Sequence, residues 1–118
     1  MHDDLPVTDE ERDRSGWYGV RCLFDHGAVD GGQAYEERIT LWQTRSIDEA
    51  LALAEAEAAE YAGVVDGRYL GLAQAYEMSD VPGRGAEVFS LVRTSRLPAD
   101  DYVDAFFDTG DERQQTAE

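Results

Sequence analysis

Two stretches of this chain carry apolar side chains at both parities of a strand, and this constrains the fold more than any other feature. Trp17, Gly19, Arg21 and Leu23 alternate against Tyr18, Val20, Cys22 and Phe24, while Val88 and Val92 alternate against Phe89 and Leu91. Successive strand residues point to opposite faces of a sheet, so a sheet built from such segments has apolar groups on both sides. One helix covers only one side. The second face calls for another cover, either the aromatic C-terminal segment with Tyr102, Phe106 and Phe107 or a second protein chain.

A length of 118 residues suits one domain with one core. Residues 1–15 combine acids with Pro6 and little periodicity, and read as a mobile acidic lead-in. A single α+β domain is expected over 16–110, followed by a polar tail at 111–118. Strands are expected at about 17–24 and 35–43, joined across the glycine-bearing stretch 25–33 as an antiparallel hairpin. In the second strand Tyr35, Glu37, Ile39 and Leu41 share one parity and Glu36, Arg38, Thr40 and Trp42 the other. Ser46 followed by Glu49 has the spacing of a capping box. Ile47, Ala50, Leu51, Ala54, Ala58 and Tyr61 then recur at helical spacing, predicting a helix over 47–62 that Gly63 ends. Further strands are expected at 69–76 and about 86–93, separated by the turn-bearing Ser79–Gly85. Pro98 opens a short amphipathic helix that brings Tyr102 and Phe106 onto one side. The predicted architecture is β-β-α-β-β: a mainly antiparallel four-stranded sheet, one principal helix and a short C-terminal helix, with strand order left open.

Charge narrows the classes of partner. Ten basic and 26 acidic residues give a formal net charge of −16, which disfavours nucleic acid and anionic membrane. Thirteen of the acids and three arginines fall in 1–15 and 97–118, leaving a net charge of −6 for 16–96. Lysine is absent, and with it Schiff-base chemistry and the phosphate-loop lysine. The single Cys22 sits in an apolar strand and reads as a small core residue. No apolar run approaches the roughly twenty residues of a spanning helix, and the acidic start has no signal-peptide pattern. A cytoplasmic location is expected, with no cofactor and no metal.

Several residues are candidates for chemistry. Glu36, Glu37 and Arg38 are contiguous, but alternation divides them between two faces. Catalysis there needs a buried Glu37 with a raised pKa. Asp25 and His26 adjoin the glycine-bearing loop, and Asp25 and Asp30, with Asp80, are the hard-cation candidates. Neither a zinc spacing nor an ordered calcium loop is present. No hydroxyl lies in a nucleophile-elbow pattern, and Gly83-Arg84-Gly85 is too short for a phosphate loop.

Trp17-Tyr-Gly-Val-Arg21, Tyr35-Glu-Glu-Arg-Ile39, Tyr69-Leu-Gly-Leu72, Glu87-Val-Phe-Ser-Leu91 and Tyr102, in that order and spacing, resemble the bacterial family termed Domain of Unknown Function 4288 over about residues 16–110. The resemblance implies a compact bacterial domain. It supplies no active-site pattern.

Interaction uses more of the chain than catalysis does. Trp17, Trp42, Phe89 and Leu91 are expected as an apolar patch on the sheet face opposite the helix, rimmed by Arg21, Arg38 and Arg93. Asp100, Asp101 and Asp104 beside Phe106 add an acidic surface. The reading is an acidic adaptor or inhibitor of a basic protein partner. The alternatives are a homodimeric structural module and a small hydrolase using Glu37 or Asp25.

Overall fold

The computed structural model describes residues 15–113; the expected lead-in up to residue 14 and the expected tail from residue 114 lie outside the described residues. The chain runs β1 (Gly16–Val29), β2 (Gly32–Thr44), α1 (Ile47–Val64), β3 (Arg68–Glu77) and α2 (Ala99–Tyr102), with α2 continuing into a wider π-helical turn, Val103–Phe107. The strands form one antiparallel three-stranded sheet in the order β2-β1-β3. The strand with apolar groups on both faces is therefore the central one.

Both hairpin strands are longer than their apolar patterns predict. The stretch 25–33 is mostly ladder, and Asp30 and Gly31 alone make the turn. A register shift between Asp25 and Ala28 absorbs His26 and Gly27. Gly27 takes a φ of +91° there, a value that costs glycine little, and its N–H donates to Asp25 Oδ1 at 2.8 Å. Gly31 and Gly32 take φ of +91° and +150°, values open to glycine, and the hairpin closes two residues past the bulge.

α1 begins as its spacing predicts. Ser46 caps it, accepting the Glu49 N–H at 3.1 Å, and the Glu49 carboxylate reaches back to the Arg45 N–H at 3.1 Å. Its end differs from the expectation: the helix continues through Gly63 to Val64, and Asp66 takes the left-handed position with φ 57°. The Gly67 N–H then returns to the Ala62 carbonyl at 2.8 Å, satisfying one of the terminal acceptors.

The core lies between α1 and one sheet face. Tyr18, Val20, Cys22 and Phe24 from β1 meet Ala50, Ala54, Ala58 and Ala62 from α1, all buried. Alanines four residues apart form a thin ridge, so α1 approaches the strand closely and the large side chains come from the sheet. Phe24 is fully buried, 5.1 Å from the Tyr61 ring and 5.5 Å from the Tyr69 ring.

The fourth strand expected at 86–93 makes no ladder among the described residues. This segment crosses the second face of the sheet instead of extending its edge. The Val88 carbonyl lies over Gly19, where an added Cβ would sit 2.5 Å from it. Phe89 rests against Tyr76, with ring centroids 5.7 Å apart, and beneath the Arg21 guanidinium at 4.8 Å.

Candidate functional site

β1 register sorts the predicted interaction residues onto two faces. Tyr18 opposes Trp42, Val20 opposes Thr40, and Cys22 opposes Arg38, which puts Trp42 and Arg38 on the helix-covered side. Trp42 packs against the core. Arg38 holds Glu57 with two hydrogen bonds of 2.7 and 2.9 Å and stacks 3.8 Å above the Tyr61 ring. The apolar patch expected on the opposite face therefore lacks Trp42 and its Arg38 rim, because even-numbered residues of both strands face α1.

The opposite face carries Gly19, Arg21 and Leu23 from β1, Glu37, Ile39 and Leu41 from β2, and Leu72, Gln74 and Tyr76 from β3. Trp17, opposite Gln43, begins the same row. Arg21 donates to Gln74 and lies 3.5 Å from Glu37. Phe89 covers the Gly19–Arg21 region. Leu91 and Arg93 belong to the same crossing segment and are exposed, Leu91 by about half. Beyond them, Arg93 donates to the Tyr102 hydroxyl and stacks on Phe106 at 4.9 Å. Asp100, Asp101 and Asp104 sit in exposed positions on α2 and the π-helical turn.

The C-terminal aromatic segment does not supply the missing cover. Among the described residues, α2 and its π-helical continuation pack with each other and with no strand and not with α1, and Arg93 of the crossing segment is their link to the rest of the chain. Phe106 is 46% exposed and Phe107 78% exposed. Ile39, Leu41 and Leu72 on the sheet face are exposed as well. Two apolar surfaces within one chain thus remain apart.

A polar cluster that the sequence pattern does not announce outright lies beside the bulge, near the closed end of the hairpin. Tyr61 donates to both oxygens of Glu36 at 2.8 and 3.0 Å, and His26 Nε2 lies 2.7 Å from Glu36 Oε1. The signal was available: Glu36 and Arg38 share a parity, and Glu57 and Tyr61 are one helical turn apart. His26 Nδ1 faces Gly67, where an added Cβ would come within 2.9 Å. The group acts as a staple, tying α1 and the β3 entry to the hairpin.

Asp25 lines an open depression of about 400 Å³ with His26, Gln33, Asp66 and Arg68. Its carboxylate accepts from the Gly27 N–H, from Gln33 at 2.9 Å and from Arg68 at 3.0 Å. These bonds, the Gly27 N–H foremost, hold its pKa below the ordinary carboxylate value. Such a group is a fixed acceptor, ill suited to taking a proton near neutral pH. Glu37 lines a separate depression with Arg21, Leu23, Leu72 and Gln74. The two carboxylates proposed for a hydrolase are not brought together. Among the described residues no group of three or more His, Cys, Asp or Glu side chains is arranged to hold a metal ion, and every buried side-chain nitrogen or oxygen has a hydrogen-bond partner.

The same contacts set the pH range of stability. Hydrogen bonding by Arg38 depresses the Glu57 pKa, as donors depress that of Asp25. Carboxylates lowered in the folded state add stability above their unfolded values, lost as pH falls through the folded ones. Burial, reinforced by Glu36 and Glu55, raises the pKa of Tyr61 and Tyr69. Groups raised in this way favour the folded state until pH passes the unfolded tyrosine value of about 10. Thermal melts should give a plateau between roughly pH 5 and 9, with decline on both sides. Tyr69→Phe should flatten the alkaline limb; an unchanged limb would contradict this assignment.

Among the described residues no helix is long and apolar enough to cross a membrane. No family model, curated protein or solved structure matches the chain.

Proposed function

We propose that this chain is an acidic protein-binding module, an adaptor or inhibitor that engages a basic partner in the bacterial cytoplasm through its C-terminal helical surface. The supporting observation is that α2 and its π-helical continuation stand off the body of the domain while exposing Phe106 and Phe107. Exposed aromatic area of this kind favours association, at about 25 cal/mol per Å² removed from water. Asp100, Asp101, Asp104 and Asp108 surround the aromatic pair in sequence and select a partner of opposite charge, chiefly through the association rate. The Trp17-to-Tyr102 likeness to Domain of Unknown Function 4288 belongs to this reading, as does a fourth strand at 86–93 in a mainly antiparallel sheet.

A partner identified by affinity capture should bind the intact protein with an association rate that falls steeply with salt. Replacing Asp100, Asp101 and Asp104 together by arginine should slow association by about tenfold or more, and Phe106→Ser with Phe107→Ser should speed dissociation. Circular dichroism of both variants should match the parent, since these residues touch neither the sheet nor α1. Binding unaffected by both sets of changes would overturn the proposed surface.

A further inference from the structure

We infer that two copies of this chain associate through residues 87–93, which pair as antiparallel strands about a two-fold axis at Ser90. The segment has the composition of a strand, with Val88, Phe89, Leu91 and Val92. Yet no backbone N–H or C=O from Val88 to Arg96 makes a hydrogen bond among the described residues. Phe89 fastens one side of the segment to its own sheet, and Val92 is 89% exposed. A segment of strand-like composition held in place with its backbone groups unpaired, the Val88 carbonyl alone packed onto Gly19, is a ready template for another strand.

The sequence of the segment selects its own copy as that strand. In an antiparallel pair centred on Ser90, Glu87 faces Arg93 of the partner subunit, and the reciprocal pair forms across the axis. Val88 faces Val92 of the partner subunit, and Phe89 faces Leu91 of the partner subunit. Two ion pairs and four apolar pairs are thus satisfied at once. Centring on Phe89 or Leu91 instead leaves each charge opposite an uncharged residue, and a register slip of this kind is what unlike cross-strand pairs oppose. The two-fold arrangement is self-complementary, as a closed dimer requires. This inference shares the fourth strand with the proposed function, and Arg93 also stacks on Phe106, but reversal of Asp100, Asp101 and Asp104 tests the α2 surface alone and cross-linking at position 90 tests the dimer alone, so the two can fail separately.

Light scattering on the eluting full-length protein should give a dimer whose population grows with concentration. Arg93→Glu alone, and Glu87→Arg alone, should each raise the dissociation constant by about tenfold or more, since two attractive cross-strand pairs become repulsive. The double exchange Glu87→Arg/Arg93→Glu should restore association to within about threefold of the parent. Ser90→Cys should cross-link the two copies under oxidation or with a short bifunctional thiol reagent, whereas the parent, whose single Cys22 is buried, should not. A protein monomeric at every concentration would overturn the inference. So would a dimer that ignores both single charge reversals and does not cross-link at position 90, a result that would move the interface to a sheet edge or to the open face.

Discussion

Phe24→Ala is expected to remove roughly 3–5 kcal/mol of folding stability, the range for deleting a large buried aromatic. Phe24 has no solvent exposure and lies between the Tyr61 and Tyr69 rings. The facing helix offers Ala54, Ala58 and Ala62, which have no side-chain length with which to fill the vacated space. The cavity would therefore persist, and cavity cost adds to the transfer term. Domains of this size retain only about 5–15 kcal/mol in total, so thermal denaturation should shift down by some 15–30 °C. Phe89→Ala, on the half-covered opposite face, should cost much less. A loss below about 1 kcal/mol for Phe24→Ala would mean that α1 is not held on this face of the sheet.

Gly19→Val should separate the crossing segment from the sheet. Any Cβ at residue 19 meets the Val88 carbonyl at 2.5 Å, and that obstacle is backbone rather than a side chain able to rotate away. The strand itself accepts valine readily, so β1 and its ladders should persist. The clash should be relieved by lifting residues 86–93, losing the Phe89 contacts with Arg21 and Tyr76, at a cost of about 1–3 kcal/mol. Because chain opening governs proteolysis when reclosing is fast, tryptic cleavage after Arg93 should accelerate by roughly tenfold or more, with far-ultraviolet circular dichroism nearly unchanged. Equal cleavage rates in parent and variant would show that the segment is not seated over Gly19. Global loss of the circular dichroism signal would place Gly19 in the main core instead.

These two residues also mark where the sequence could and could not be read. Phe24 is identifiable as core because it shares a parity with Tyr18, Val20 and Cys22 and faces an alanine-rich amphipathic helix. The hairpin, α1 and its Ser46 cap follow from equally local signals. Gly19 gives no such warning: it looks like a weak point in a strand, and its role depends on a carbonyl almost seventy residues away. The ends of β1 and β2 were missed because Asp25 to Gln33 carries turn-forming residues, and a bulge permits those to stay in the ladder.

Register explains the divided interaction set. Composition alone puts Trp42 and Arg38 in one patch with Trp17 and Arg21, but opposing Tyr18 to Trp42 sends Trp42 beneath α1. Strand-pair register follows from turn length and bulge position together, and a one-residue difference exchanges the two faces. The staple of His26, Glu36 and Tyr61 was hidden for a similar reason, since its members come from three elements.

Local sequence by itself determined the α+β character, the antiparallel hairpin, the helix cap, the alanine face of α1 and the presence of a second apolar sheet face, because each rests on periodicity or on turn chemistry within a few residues. Tertiary structure decided that β1 is central, that residues 86–93 cross the face without joining the sheet, and that α2 stands away from the body. Those outcomes depend on competition between distant surfaces for the same neighbour. Strand propensity at 86–93 is satisfied only by an available edge, and in the single chain the segment's contact with Gly19, Arg21 and Tyr76 prevails over pairing at either edge of the sheet.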